Sequence, residues 1–153
     1  MVLSYEIIFE NFLGSVSDYN FATLEEDDAN TLLAEYLHKA TSTSYVRRLF
    51  ATFKLDDESR TLTYEFKTVV SEDEDADFLV DILVKGMIVA WLKPQVNKTS
   101  LTHQMITSSK EGNWFSQASH LSELKGLYDT SQKELRKAIM ERGYIHNSYL
   151  EET

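Results

Sequence analysis

At 153 residues, with 42% hydrophobic and 12% aromatic content, the chain is long enough for one buried core and too rich in apolar side chains for a disordered tract. It has no cysteine, which excludes disulfides, thiolate zinc sites, iron–sulfur clusters and cysteine nucleophiles together. A formal net charge of −10 opposes general affinity for nucleic acid, although an acidic wall also lets DNA slide past without gripping it.

The opening stretch, MVLSYEIIFENF, carries glutamates and no basic region before a long apolar run, so it does not read as a secretory signal and intracellular synthesis is expected. Tyr5, Ile8, Phe9, Phe12 and Leu13 fall near one helical face before Gly14, which predicts a short docking helix. Thr23-Leu24-Glu25-Glu26 has capping-box spacing and predicts a helix start. Ala29, Leu32, Leu33, Tyr36, Leu37 and Ala40 continue it at three and four, and the acidic run Glu25 to Asp28 complements its positive end.

Between Tyr45 and Val70 the period changes to two. Ala51, Phe53 and Leu55 alternate, Asp56 to Arg60 intervene, and Leu62, Tyr64 and Phe66 alternate again, predicting a β-hairpin covered by the helices. Phe78 to Leu92 is apolar except for Asp81, Lys85 and Gly86, with the two charges at ion-pair spacing. A helix of about 15 residues falls short of the roughly 20 needed to cross a bilayer, so it reads as a buried central helix preceded by the acidic run Glu72 to Asp77. Pro94 disfavours helical geometry at Lys93 and predicts a stop near Leu92, making WLKPQ a corner.

Ser100 to Lys110 reads as a weak helix through Leu101, Met105 and Ile106, closed by the Gly112-Asn113 break. A helix of about 28 residues, about 42 Å long, then runs to Arg142 with Leu121, Leu124, Tyr128, Leu135, Ala138 and Arg142 on one stripe and Gly143 just beyond. Residues 144–153 read as an extended tail offering Tyr144, Ile145, Tyr149 and Leu150. The expected fold is therefore mainly α: one helical domain over 1–143 with a small β-hairpin, a long C-terminal helix and that extended C-terminal tail.

Catalytic patterns are sparse. Ser116 and His120 lie four apart, as a nucleophile and base would on a helix, but no G-x-S-x-G elbow or orienting acid accompanies them. Asp73, Asp75 and Asp77 begin like a calcium loop, which fails where glycine and glutamate should follow, at Phe78 and Val84. His38, His103, His120 and His146 are scattered, and neither a P-loop nor a G-x-G-x-x-G is present. No cofactor, metal site or enzyme activity is expected. Trp91 and Trp114 lack a basic stacking groove in the sequence and read as core or interface anchors. In NWFSQASHL, Trp114, Phe115 and Leu121 anchor a helix entry and His120 becomes a polar contact.

The order of elements, with a buried helix ending in WLKPQ and then SQASHLSELKGLY opening a long helix, resembles the head-tail connector proteins of tailed bacteriophages. These are the neck or head-completion adaptors, especially of phages of Gram-positive hosts. The likeness spans roughly Asp18 to Tyr149 and is clearest over Met87 to Gln95 and Phe115 to Tyr128. It implies a virion protein at the head-tail interface, made in the host cytoplasm. The family forms a dodecameric homo-oligomeric ring between the portal protein and the next neck or tail-completion protein, through which DNA passes without sequence-specific binding. It also implies that Gly143 to Thr153 grips the portal, with Tyr144, Ile145, Tyr149 and Leu150 filling pockets on its subunits; with the anchors Trp91, Trp114, Phe115 and the polar contact His120, these are the expected subunit or portal interface. The hairpin departs from a purely helical adaptor. The alternative reading is a cytoplasmic adaptor or regulator binding one protein partner through the same aromatic helix; a hydrolase using Ser116 and His120 is a third.

Overall fold

The computed structural model describes residues 1–16, 19–106 and 111–145, with the side chains of 19–20, 102–106, 111–117 and 144–145 left aside. Among these residues the chain is mainly helical around a three-stranded antiparallel sheet.

Strand β1 (Val2–Ser4) leads directly into α1 (Tyr5–Ser15), whose first turn is capped by the Ser4 side chain accepting from the Glu6 amide. Tyr5, Ile8, Phe9 and Phe12 are buried, as the stripe predicts, while Leu13 faces solvent at 41% exposure. Helix α2 (Tyr19–Thr23) is a short turn before α3 (Glu26–Thr41). The helix start falls two residues later than the Thr23 spacing predicts: Thr23 ends α2, and the residue preceding α3 is Glu25, which makes no side-chain cap bond. The acidic residues Glu26, Asp27 and Asp28 occupy the first turn of α3, favourable against the helix dipole. Leu33, Leu37 and Ala40 form its buried edge.

After α4 (Ser44–Arg47), strands β2 (Phe50–Asp56) and β3 (Thr61–Phe66) form the hairpin. Ala51 does not share the face of Phe53. The register slips between Phe50 and Thr52, and this bulge leaves Ala51 exposed while Phe50 takes the inward position opposite Phe66, ring centroids 4.8 Å apart. Asp56 closes the turn by accepting from the amides of Glu58 and Ser59, and Arg60 takes a left-handed φ of 52°. Strand β1 pairs with β3 on the other side, giving the order β1-β3-β2; three residues are too few to show alternation in sequence.

Two 35-residue helices complete the chain: α5 (Glu72–Ile106) and α6 (Glu111–Ile145). At 1.5 Å per residue each spans about 52 Å. Ser71 caps the start of α5, its Oγ accepting from the Glu74 amide at 3.2 Å. From Phe78 to Leu92 only Asp81 is exposed, and it pairs with Lys85.

Three predicted breaks are absent. Pro94 lies inside α5, so WLKPQ is not a corner and the weak Ser100 segment continues the same helix. The proline is on the exposed side of the helix, and Gln95 Nε2 donates to the Trp91 carbonyl at 3.2 Å. Gly112 and Asn113 lie within the first turn of α6, and Gly143 within its last, so neither punctuates the chain. Tyr144 and Ile145 are helical rather than the start of an extended tail, and the remainder of that tail, 146–153, lies outside the described residues.

The main core gathers α1, α3, α4, the hairpin, the first half of α5 as far as Met87 and Trp91, and the stretch Leu135 to Ile139 of α6. Leu92, Leu121 and Leu124 are buried outside that cluster. The long helices thus share a core with the body at one end and continue beyond it as an antiparallel hairpin.

Candidate interface on the helical hairpin

The base of the hairpin is held by a buried ion pair. Asp75 is fully buried, and Arg142, near the end of α6, donates to its Oδ1 with its own side chain only 10% exposed. The Arg142 guanidinium lies 4.4 Å from the ring centroids of both Phe66 and Phe78 and also donates to the Thr68 carbonyl at 3.1 Å. The Val70 amide completes the carboxylate's partners at 3.3 Å. Asp75 is as far from the end of α5 as Arg142 is from the start of α6, so the pair matches the register of two helices of equal length at their shared base. It also removes Asp75 from any cation site with Asp73 and Asp77, and no metal-binding cluster exists among the described residues.

Further along α5, about three turns from this base, α3 and α5 cross at close range: a Cβ on Gly86 would come within 2.8 Å of Ala40 Cβ. The crossing forms the floor of a groove of about 550 Å³ between α3, α5 and α6. Its rim carries Lys39, Lys93, Asn97, Tyr45, Tyr128 and Gln132, with Gln132 Nε2 donating to the Tyr128 hydroxyl at 3.0 Å. No carboxylate lines it. This groove was not legible in the sequence, because Lys39 and Lys93 belong to different helices and converge only through the Gly86–Ala40 crossing.

The interface residues expected from sequence distribute unevenly. Trp91 is half-buried against the main core at the level where the hairpin leaves the body. His120 is exposed on α6, one residue before buried Leu121. Trp114 and Phe115 belong to the opposite end of the hairpin from Tyr144 and Ile145; all four lie on α6, and nothing is described of their side chains. Tyr149 and Leu150 lie outside the described residues. The structure thus places Trp114, Phe115 and His120 on one half of the hairpin and Tyr144 and Ile145 at its base; it does not gather them into one patch. Exposed Leu127 and Met140 add apolar surface to α6.

A second polar cluster was missed in sequence. Asp57, in the hairpin turn, accepts from the Tyr5 hydroxyl at 2.8 Å and meets His38 Nε2 at 2.9 Å. The Tyr5 hydrogen bond chiefly holds the Asp57 carboxyl below its ordinary range; burial opposes it, and the hydrogen bond and charge of His38 add to the lowering. Burial first, and then Asp57, push the Tyr5 hydroxyl well above its usual range. Such a tyrosine stays a proton donor to its partner. The surrounding cleft holds no serine or cysteine, and its one threonine hydroxyl, of Thr31, donates to the Asp27 carbonyl. The cluster therefore pins α1, α3 and the turn together rather than assembling a nucleophile.

No protein-family model, curated protein or solved structure matches this chain. No helix among the described residues is long and apolar enough to cross a membrane.

Proposed function

We propose that this protein is a structural subunit of a tailed-bacteriophage neck, a ring-forming adaptor between the portal and the tail that surrounds the DNA path. The observation that carries the reading is the α5–α6 hairpin, which continues past the shared core while its base is locked by Asp75 and Arg142. A ring subunit needs a rigid element that meets its neighbours at a fixed angle, because a heterologous contact closes only at the correct rotation. The net charge of −10 suits a channel wall that DNA must pass without adhering. In this role Trp91, Trp114, Phe115 and His120 contact neighbouring subunits. The end of α6 with Tyr144 and Ile145, and beyond it Tyr149 and Leu150, engages the portal. The virion is its location, and the reading assigns no catalysis to Ser116 or His120.

The test is the mass of the purified chain with and without portal protein, followed by particle imaging. Ring-shaped density for this chain between capsid and tail is the expected result. A protein that leaves portal untouched and is absent from particles overturns the reading. Exchanging His120 for alanine separates interface from catalysis: because the residue is exposed, folding should be unchanged while assembly weakens.

A further inference from the structure

We propose that the groove midway along the hairpin receives the acidic start of α3 from a second copy of this chain, joining subunits head to tail. Charge is strongly segregated along the sequence. Residues 1–81 hold 18 acidic and 6 basic side chains, whereas residues 82–133 hold 3 acidic and 6 basic. From Ile82 to Lys110 there are four lysines and no acid at all. The fold then concentrates this difference on two surfaces. At one end of α3, Glu25, Glu26, Asp27 and Asp28 are all exposed, and none of them joins an ion pair among the described residues. At the other end, Lys39 and Lys93 both line the groove; Lys39 Nζ lies 5.8 Å from the Tyr36 ring centroid, and neither lysine is in an ion pair among the described residues.

The same helix that carries both surfaces keeps them apart. The 16 residues of α3 span about 24 Å, so its acidic start cannot reach the groove within one molecule. Two complementary surfaces that cannot satisfy each other internally, and that face different ways, form a heterologous interface, which propagates into a closed ring or an open filament. The groove suits such a guest in shape as well as charge. Its floor is apolar at Val89, Ala90 and Leu135, and its rim supplies amide and hydroxyl donors around the two ammonium groups. The inference rests on the self-association in the neck reading and names the surfaces responsible.

Sedimentation velocity on the full chain tests it with two charge-reversed proteins. One carries Lys39→Glu and Lys93→Glu; the other carries Glu26→Lys and Asp27→Lys. The parent should sediment above monomer mass at low salt and fall toward monomer in about 1 M salt, where the screening length shrinks to about 3 Å. Each reversed protein alone should be monomeric, and an equimolar mixture should regain association, because the acidic groove of one now faces the basic helix start of the other. Should the lysines at the helix start unfold α3, Glu26→Gln with Asp27→Asn removes the charge more gently and should likewise give monomer. A parent that is monomeric at every concentration in low salt overturns the inference. So does unchanged association of the reversed proteins, which would leave a ring built through other surfaces intact. If Lys39→Glu with Lys93→Glu instead abolishes binding to portal or duplex DNA while self-association persists, the groove serves that partner and the inference fails.

Discussion

Replacing Arg142 by alanine should be among the most damaging single changes in the protein. The side chain is 10% exposed and its partner Asp75 is not exposed at all, so the substitution leaves a carboxylate in the interior with only the Val70 amide, at 3.3 Å, to compensate it. Breaking a buried pair from one side costs about 3–5 kcal/mol, mostly the desolvation of the charge left behind. Loss of the guanidinium from between Phe66 and Phe78 and from the Thr68 carbonyl acts in the same direction. These contributions share one side chain and do not add, so about 3–5 kcal/mol stands for the whole. For a domain of this length that corresponds to a fall in melting temperature of about 6–20 °C, read by circular dichroism. Exchanging both members, Asp75→Asn with Arg142→Met, removes the charges together while an amide oxygen still faces Val70, and should recover most of the loss. A cost below about 1 kcal/mol for Arg142→Ala, or a double variant as unstable as the sum of its singles, would refute the reasoning.

Gly86→Ala should destabilise, because the new Cβ meets Ala40 Cβ at 2.8 Å; overpacking of about 1–3 kcal/mol outweighs the gain in helix propensity. Gly126→Ala, with nothing within 4 Å, should stabilise by about 0.5–1 kcal/mol in the same denaturant titration. Pro94→Ala should raise the melting temperature and helical ellipticity, since it restores a backbone hydrogen bond inside a continuous helix; no change would return WLKPQ to the role of a break. Tyr5→Phe should cost about 1 kcal/mol near neutral pH. Because Asp57 is held below its ordinary value, its contribution is present above about pH 4 and fades as pH falls further, so the gap between parent and variant should close in acid. Because Tyr5 is held above its ordinary value, the parent should also lose stability as pH rises past about 10, a slope that is shallower in the variant, where Tyr64, raised by burial, still contributes; pH-dependent melts read both.

What could be read from sequence was what repeats over several turns. Leu33, Leu37 and Ala40 on α3, Leu62, Tyr64 and Phe66 on β3, and Leu121, Leu124 and Leu135 on α6 all fall where their periods put them. Local punctuation misled, because long-range packing overruled it. Pro94, Gly112 and Gly143 each break helices in isolation, yet lie in two helices that support each other along the hairpin. The start of α3 fell two residues beyond the Thr23 cap position, while Ser71, which has the same spacing to Glu74, caps α5. Asp75 reads as one more acid in a helix start, although it sits four residues before Leu79 and so on the buried stripe of α5, just as Arg142 continues the stripe of Leu135 and Ala138. A charge at an apolar position on each of two neighbouring helices was the available signal. The groove had none, since its lysines are brought together by the fold alone.

The buried pair and the groove solve different parts of one assembly problem. A buried ion pair is an uneconomical way to stabilise a helical hairpin, because well-packed apolar residues hold it as firmly. It is an effective way to fix register: a slip of one turn would leave both Asp75 and Arg142 buried without a partner, a penalty that leucines sliding over leucines would not impose. With register fixed, Lys93 on α5 stands at a set height relative to Tyr128 and Gln132 on α6, and the Gly86–Ala40 contact sets its distance from Lys39 on α3. The proposed binding surface is therefore built on rigid helices whose relative placement is determined at the base of the hairpin, away from the surface itself. For a head-to-tail contact this matters more than affinity. An error of a few degrees in the angle between groove and acidic helix start is repeated at every interface around the assembly, and decides whether the last copy meets the first.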